Sequence, residues 1–329
     1  MEIAMKSRRK ILSLIGATSL VPFVSSARAE SYPAKAIRLV VPYPPGGGTD
    51  AFARVIAPKL SESLGQQFVI DNKPGAATII GAEIVSKSAA DGYTLLLGDN
   101  STFAVNPSLY KKLPYSPLVD FAPISLTAKF SLILVVNPTM PVSRLSEFVA
   151  YAKAKPKLVN FGSPGAGSPH HLAMELFADR AGIQLTHVPY KGGAPAAQDL
   201  LAGVIPAMVL DFATASQHIQ TGKLRALAAL SDKRLEQLKD LPTISELGYP
   251  GFEAWAWQGI VVPAKTPEDI IQRLNAEMIK VAQDKDVQAK ITEIGGEFKA
   301  SSPSAMQAYM RNETDKWSKI IREANISID

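Results

Sequence analysis

Two glycine-rich loops carry the residues of this sequence best suited to binding chemistry. The first, at residues 42–50, reads PYPPGGGTD and lies between a β-rich run and a helical run. The second, at residues 161–169, reads FGSPGAGSP and also leads into a helical run. Because glycine has no side chain and the first N–H groups of a helix carry partial positive charge, each loop can hold a carboxylate or a phosphate. One such loop in each half of the chain predicts a ligand with two acidic ends, or with one acidic and one polar end.

The first loop also partly matches a dinucleotide-binding turn. Gly46, Gly48 and Ala51 have the required spacing, and Asp71 ends the next β-rich run about twenty residues on. Against a nucleotide site, the prolines at 42, 44 and 45 force an extended excursion before the glycines, where the dinucleotide turn would be tight. A turn without any ligand role is the third interpretation of the same residues.

The remaining polar residues indicate little chemistry of their own. His170 and His171 are neighbours, so they diverge on a helix, and the sequence has no cysteine; no metal site is predicted. Asp211 follows an apolar run and either caps the next helix or accepts a hydrogen bond in a pocket, and both interpretations stay open. Lys191 is expected to be a solvated loop lysine. No nucleophile has a base at recognisable spacing, which argues against an enzyme.

Short β-rich runs alternate with helical runs from residue 37 onward, which is typical of a mostly parallel sheet covered by helices. Strands are predicted at residues 37–41, 68–71, 93–97, 132–136, 158–161, 186–188, 207–210, 225–230 and 260–262. Apolar spacing predicts helices within 52–64 and 145–152. Thr266 is predicted to cap a helix whose first residue is Pro267, and Ser168 to cap the helix after the second loop. No linker separates consecutive domains, so two lobes would require the chain to cross between them more than once.

The net charge of +5 is concentrated in the first 29 residues, which hold five basic side chains and one acidic one. The other 300 residues hold 30 basic and 29 acidic groups, a net of +1, so neither disorder nor a basic nucleic-acid surface is predicted. A basic start, an apolar stretch at 11–24 and the small-residue end at Ala29 predict a secretory signal peptide cleaved after Ala29. The twin arginine at 8–9 leaves the Sec and twin-arginine routes both open.

Six blocks of sequence, taken in order, resemble the Bug-type solute receptors, the periplasmic binding components of tripartite tricarboxylate transporters. The blocks are 42–50, 71–76 (DNKPGA), 90–96 (ADGYTLL), 121–125 (FAPIS), 187–193 (HVPYKGG) and 241–248 (LPTISELG). The resemblance implies an α/β fold of the two-lobed periplasmic-binding-protein type, class II and flytrap-like, with two mostly parallel sheets and a ligand cleft between the lobes. Together with the chain order it predicts a first lobe at 30–130 plus 259–329 and a second lobe at 131–258, following the signal peptide predicted at 1–29.

The resemblance further implies a function and a set of binding residues. The expected protein is a periplasmic monomer that has no cofactor, metal or nucleic-acid partner, binds a small organic carboxylate and delivers it to membrane transporter subunits. A sensor that contacts a membrane kinase is an alternative, and an exported enzyme a more remote one. The predicted ligand-binding residues are Tyr43, Pro44, Gly46, Gly47, Gly48, Thr49, Asp50, Ser101, Thr102, Phe103, Ser163, Gly165, Gly167, Ser168, His171, Tyr190, Asp211 and Phe212.

Two departures from the family pattern bear on the ligand. Phe103 stands where smaller or polar residues are common, and residues 204–206 (VIP) replace a more polar segment. Both predict a more apolar cleft. Phe103, Tyr43 and Phe212 would also offer stacking surfaces, so a dicarboxylate is predicted, with an aromatic one slightly favoured.

Overall fold

The computed structural model describes residues 32–323, and the predicted signal peptide at 1–29 lies outside the described residues. The strands are β1 Ile37–Val41, β2 Phe68–Asn72, β3 Thr94–Asp99, β4 Phe121–Val136, β5 Asn160–Ser163, β6 Thr186–Pro189, β7 Ala207–Asp211, β8 Arg225–Ala229, β9 Trp255–Pro263 and β10 Gly296–Phe298. The α-helices are α1 Gly48–Leu64, α2 Ile79–Ser86, α3 Asn106–Leu109, α4 Pro117–Asp120, α5 Leu145–Ala154, α6 Pro169–Ala181, α7 Gly193–Leu201, α8 Phe212–Gln220, α9 Glu268–Gln283, α10 Lys285–Glu293 and α11 Pro303–Glu323. A π-helix spans Ser101–Val105 and a 3₁₀ helix Glu236–Leu238.

The strands form a mixed sheet in the order β2-β1-β3-β9-β4-β7-β5-β6, with β8 and β10 also paired to β4. β1 pairs in parallel with β2 and β3, and β5 pairs in parallel with β6 and β7. The central strands β4 and β9 are antiparallel to their neighbours. The chain therefore has the two-lobed periplasmic-binding-protein architecture, but the predicted pair of mostly parallel sheets is corrected to two parallel halves joined by antiparallel strands.

The long strand β4 joins the two halves. Its residues from Phe121 to Ser131 pair with β9, whereas Leu132 to Val136 pair with β7 and β8. The sequence predicted only the second part, because 132–136 is continuously apolar. The first part includes a proline, a lysine and several hydroxyl residues, and it becomes a strand through pairing with β9, more than a hundred residues on.

Helices cover both faces of the first half of the sheet. Leu39 and Val41 of β1 pack in one core cluster with Phe52 of α1, while Val40 points to a second cluster that includes Trp317 of α11. Apart from Arg38, β1 is apolar and buried on both faces, as is typical of a parallel strand, which is why it was predicted with its correct bounds.

Of the two predicted helix caps, one is confirmed and one is wrong. The Ser168 hydroxyl accepts a hydrogen bond from the His171 N–H at 3.3 Å, at the start of α6. The Thr266 hydroxyl instead donates to the Pro263 carbonyl at 2.7 Å, and α9 begins at Glu268 after Pro267. The Pro263 carbonyl, at the end of β9, thus binds the threonine hydroxyl, which makes no capping hydrogen bond to α9.

Within residues 32–323, no helix combines the length and the apolar character needed to cross a membrane.

Candidate functional site

A cavity of about 140 Å³ lies where the N-terminal ends of four helices meet. Its wall includes Gly48 of α1, His170 of α6, Gly193 of α7 and Asp211, which immediately precedes α8. The first N–H groups of a helix have no partner within the helix, and the aligned peptide dipoles place partial positive charge there. Because pockets for drug-sized ligands hold about 300–1,000 Å³, this cavity suits a small anion.

The first glycine loop is shaped by Asp50, which lies behind it and not on the cavity wall. The Asp50 carboxylate accepts hydrogen bonds from the Gly46 N–H at 2.9 Å, from Arg54 Nε at 2.8 Å and from Asn72 Nδ2 at 3.0 Å. Burial opposes ionisation of Asp50, but these hydrogen bonds outweigh it and lower the pKa of the carboxyl below its usual value. Asp50 therefore stays ionised and holds the loop glycines in place for a ligand.

Tyr43 and Asp99 form a hydrogen-bonded pair on the cavity wall. The Tyr43 hydroxyl donates to Asp99 Oδ2 at 2.6 Å, and Thr102 donates to Asp99 Oδ1 from its N–H and its hydroxyl, both at 3.2 Å. Burial raises the pKa of Asp99, and burial together with the Asp99 charge raises the pKa of Tyr43 well above its usual value. Both Asp99 oxygens therefore already accept hydrogen bonds within the protein.

The π-helix supports the site from behind and contributes nothing to the cavity wall. The Ser101 hydroxyl donates to the Gly167 carbonyl at 3.0 Å, which ties the second glycine loop to the first half of the chain. Phe103 is 0% exposed and stacks on Trp257 with ring centroids 6.0 Å apart. The structure thus corrects the predicted stacking role of Phe103, because the core takes up both faces of its ring.

The second glycine loop rests on a stack of aromatic rings. The His171 and His187 rings lie 3.7 Å apart, and Phe161 stacks on both. The Gly167 N–H donates to His171 Nδ1 at 3.0 Å, and His187 Nε2 lies 2.6 Å from the Ser163 hydroxyl. Ser163 is 0% exposed and does not line the cavity, so this serine–histidine pair braces the loop and is not placed to attack a ligand.

The neighbouring histidines lie in different surroundings. His171 was predicted to bind ligand, but it lies in the ring stack with Nε2 3.5 Å from Glu175 Oε1. His170, which was not among the predicted ligand-binding residues, is on the cavity wall. Adjacent residues on a helix point about 100° apart, so only one of the two can face the cavity.

Asp211 is the N-cap residue of α8, and its side chain makes no capping hydrogen bond. Instead its carboxylate extends across the cavity to the first loop, where a Cβ added at Gly48 would lie 3.4 Å from Asp211 Oδ2. Of the two interpretations of Asp211, the structure therefore favours the pocket acceptor. Phe212 is buried and packs under Gly295, so it offers no ring face to the cavity.

The predicted residues fall into three groups. Those on the cavity wall are Tyr43, Pro44, Gly46, Gly47, Gly48, Thr49 and Asp211. Gly165 and Tyr190 line an adjoining groove that also contains Tyr43 and Pro44. Those outside both linings are Asp50, Ser101, Thr102, Phe103, Ser163, Gly167, Ser168, His171 and Phe212. Residues 204–206, which with Phe103 were the two departures from the family pattern, also lie outside both linings. Neither departure therefore makes this cavity more apolar.

Several cavity residues were missed by the sequence prediction. Lys191, Gly192 and Gly193 form a third glycine loop between β6 and α7, and that strand-glycine-helix pattern could have identified it. Asp99 ends β3, as ligand-binding residues of parallel strands often do. Gln258 lies inside β9 and is brought to the cavity by strand pairing alone, so no local signal was available.

The described residues, 32–323, contain no cluster of three or more histidine, aspartate or glutamate side chains that could hold a metal ion.

The fold and the cavity together define a two-lobed solute-binding protein of the periplasmic-binding-protein type. The chain belongs to the tripartite tricarboxylate transporter receptor family, whose model matches residues 52–326. This family and its structural neighbours are solute-binding receptors, not enzymes, and the same holds for this protein.

Named relatives match over nearly the full length. Protein BugT of Bordetella pertussis is 38% identical over 321 residues, covering 97% of this chain and 98% of BugT. The structure of R. palustris Rpa4515 with adipate has a TM-score of 0.86 and 36% identity, covering 90% of this chain and 99% of that one. MatC (Rpa3494) from Rhodopseudomonas palustris with bound malate has a TM-score of 0.82 and 30% identity, covering 88% and 100%.

Proposed function

We propose that this protein is a periplasmic receptor that binds a small organic carboxylate between its two lobes and delivers it to a membrane transporter. The observation that carries the proposal is the convergence of four helix N-termini on one small cavity, since that arrangement stabilises negative charge. Relatives support the ligand class, because the matched structures of Rpa4515 and MatC contain adipate and malate. The family description supports the transporter partner.

We propose the lobe boundaries from the chain order and the strand pairing. The first lobe comprises residues 30–130 plus 259–329, and the second comprises 131–258. The change of partners along β4, between Ser131 and Leu132, supports the first crossing. The strand pairing changes the second boundary, because Trp255 to Gln258 already pair with the first part of β4. We therefore propose that the return crossing lies before Trp255 and not after Gln258.

In the proposed mechanism, the ligand contacts both lobes at once and holds them together. The first loop lies against two of the second-lobe segments that line the cavity. A Cβ added at Gly192 would lie 3.3 Å from Pro44, and one added at Gly48 would lie 3.4 Å from Asp211 Oδ2. A ligand between these loops would gain contacts that exist only when the lobes are closed, so its binding free energy would favour closure.

We propose that the ligand carboxylate lies near the N-termini of α1 and α7, beside Lys191. Lys191 is exposed, lines the cavity and can place its ammonium group near an anion. Of the three rings proposed for stacking, Tyr43 lines the cavity whereas Phe103 and Phe212 are buried. A preference for aromatic acids therefore has less support than a preference for small acids in general.

A thermal-shift screen of aliphatic and aromatic mono-, di- and tricarboxylates tests the proposal. A ligand at 100 times its dissociation constant should stabilise the folded protein by about 2.7 kcal/mol, which raises the melting temperature by several degrees. Neutral sugars and cationic amines are the controls, and stabilisation by these alone would contradict the carboxylate assignment. Small-angle scattering of the protein with a binding acid should show compaction, and an unchanged radius of gyration would contradict lobe closure.

A further inference from the structure

One end of the cavity contains three polar side chains whose hydrogen-bonding capacity is only partly used within the protein. They are Asp211, His170 and Gln258, and all three are on the cavity wall. Buried polar groups are nearly always paired, because leaving one without a partner costs about 1–3 kcal/mol. This end of the cavity therefore requires a partner from the ligand or from water.

The Asp211 carboxylate accepts no hydrogen bond from the helix that it precedes. Its side chain is 18% exposed, and the nearest polar contact is His170 Nε2, 3.1 Å from Asp211 Oδ2. Neither ring nitrogen of His170 makes a hydrogen bond, so this contact pairs with the Asp211 charge only when His170 is protonated. The Asp211 carboxylate is thus an available acceptor directed at the cavity.

His170 and Gln258 are more deeply buried. His170 is 8% exposed and Gln258 is 3% exposed. Gln258 Nε2 donates to the Thr49 hydroxyl at 2.9 Å, and Gln258 Oε1 has no partner. Because a hydroxyl can accept or donate, either orientation of the Gln258 amide satisfies Thr49. Gln258 can therefore offer the cavity an acceptor or a donor, whereas Asp211 offers only acceptors unless it is protonated.

The other charged groups of the wall differ in what they can offer. Both Asp99 oxygens already accept hydrogen bonds from Tyr43 and Thr102. Lys191 adjoins Gly192, which lies against Pro44, at the other end of the first loop from Gly48 and Asp211. The cavity therefore has one end suited to a carboxylate and another whose available charged acceptor disfavours a carboxylate.

We propose that the end of the cavity formed by Asp211, His170 and Gln258 recognises a hydrogen-bond donor of the ligand, so that the receptor selects hydroxy- or amino-substituted carboxylates over unsubstituted ones. This inference rests on the proposed function and specifies its substrate class. An acid built only from carboxylates and methylenes would leave Asp211 without a donor and bring a second negative charge towards it. An ammonium group fits best, because it donates hydrogen bonds and neutralises the Asp211 charge.

Matched acids on one carbon skeleton test the inference by isothermal titration calorimetry. Succinate, malate and aspartate carry hydrogen, hydroxyl and ammonium at the same carbon, and glutarate, 2-hydroxyglutarate and glutamate repeat the series with one more methylene. At least one donor-bearing member should bind wild type about tenfold or more tighter than its unsubstituted counterpart, the ratio expected for a hydrogen bond to a charged group. Asp211→Asn should reduce that ratio to about threefold or less, since a neutral amide accepts more weakly and also donates.

Asp179→Asn is the matched control, because Asp179 is an exposed aspartate at the far end of α6 and the substitution changes the net charge equally. It should preserve the wild-type ratio. Equal or tighter binding of succinate and glutarate by wild type overturns the inference without any variant, and so does an unchanged ratio in Asp211→Asn. If unsubstituted acids bind well, the proposed carboxylate function survives; if no acid binds, that function fails and the inference fails with it.

Discussion

The histidine stack beneath the second glycine loop should make the stability of this protein depend on pH in a defined window. Burial, with a contribution from His171, lowers the pKa of His187 from 6.5 to about 3. In the unfolded chain His187 binds a proton near pH 6.5, so between these values the unfolded state holds more protons than the folded state. Stability contributed by neutral His187 is therefore present above pH 6.5 and is lost as the pH falls below it.

The size of the effect at pH 5 follows from the linkage relation. Because pH 5 lies well above the folded pKa, the loss depends almost entirely on the unfolded pKa and amounts to about 2 kcal/mol between pH 7 and pH 5. His187→Gln keeps an N–H donor for the Ser163 hydroxyl but does not titrate. Urea unfolding at both pH values, followed by tryptophan fluorescence, should show a wild-type loss about 2 kcal/mol greater than that of His187→Gln.

The comparison uses the change with pH and not the absolute stability, since losing the stacked ring also weakens the variant at pH 7. His218→Gln removes a histidine from α8, outside the ring stack, and should retain the difference from His187→Gln. Equal losses in wild type and His187→Gln would refute the assignment of a buried neutral histidine under this loop.

Two further predictions concern ligand affinity. Gly167→Ala should weaken ligand binding by about threefold, because its Cβ would lie 2.6 Å from Leu109 Cδ1 and the second loop or the leucine must shift. Gly222→Ala, at φ +69° with nothing within 4 Å, should carry backbone strain similar to that of Gly167→Ala at φ +75° and leave affinity unchanged. Equal affinities of the two variants in titration calorimetry would contradict a tight contact between the second loop and α3. Lys191→Gln should weaken carboxylate binding by about two- to fivefold, an effect that shrinks at high salt. Lys153→Gln, an exposed control on α5, should leave affinity unchanged, and equal effects of the two would contradict the assigned role of Lys191.

Local sequence rules predicted much of the framework of the site. The order strand, glycines, helix predicted β1, the first loop and α1, because backbone freedom and helix N-termini are properties of a few neighbouring residues. The Ser168 cap followed from the same kind of local rule. The third loop at Lys191 to Gly193 has this pattern too but was not predicted to bind ligand, although its residues line the cavity.

The direction of individual side chains could not be read from the sequence. Phe103 looked like a stacking surface, yet Trp257, which is far away in the chain, holds it in the core. Nothing in the sequence distinguishes His170 from His171. His171 stacks on His187, and this leaves His170 to face the cavity. Gln258 reaches the cavity because β9 pairs between β3 and β4.

The sequence by itself therefore determined that this protein has glycine loops at helix N-termini, and with them the sign of charge that it can bind. The tertiary structure decided which side chains complete the cavity, including the acceptor Asp211 facing the first loop at Gly48. The physical reason is that helix starts and glycine turns depend on adjacent residues, whereas the orientation of a side chain depends on packing partners that are distant in the chain.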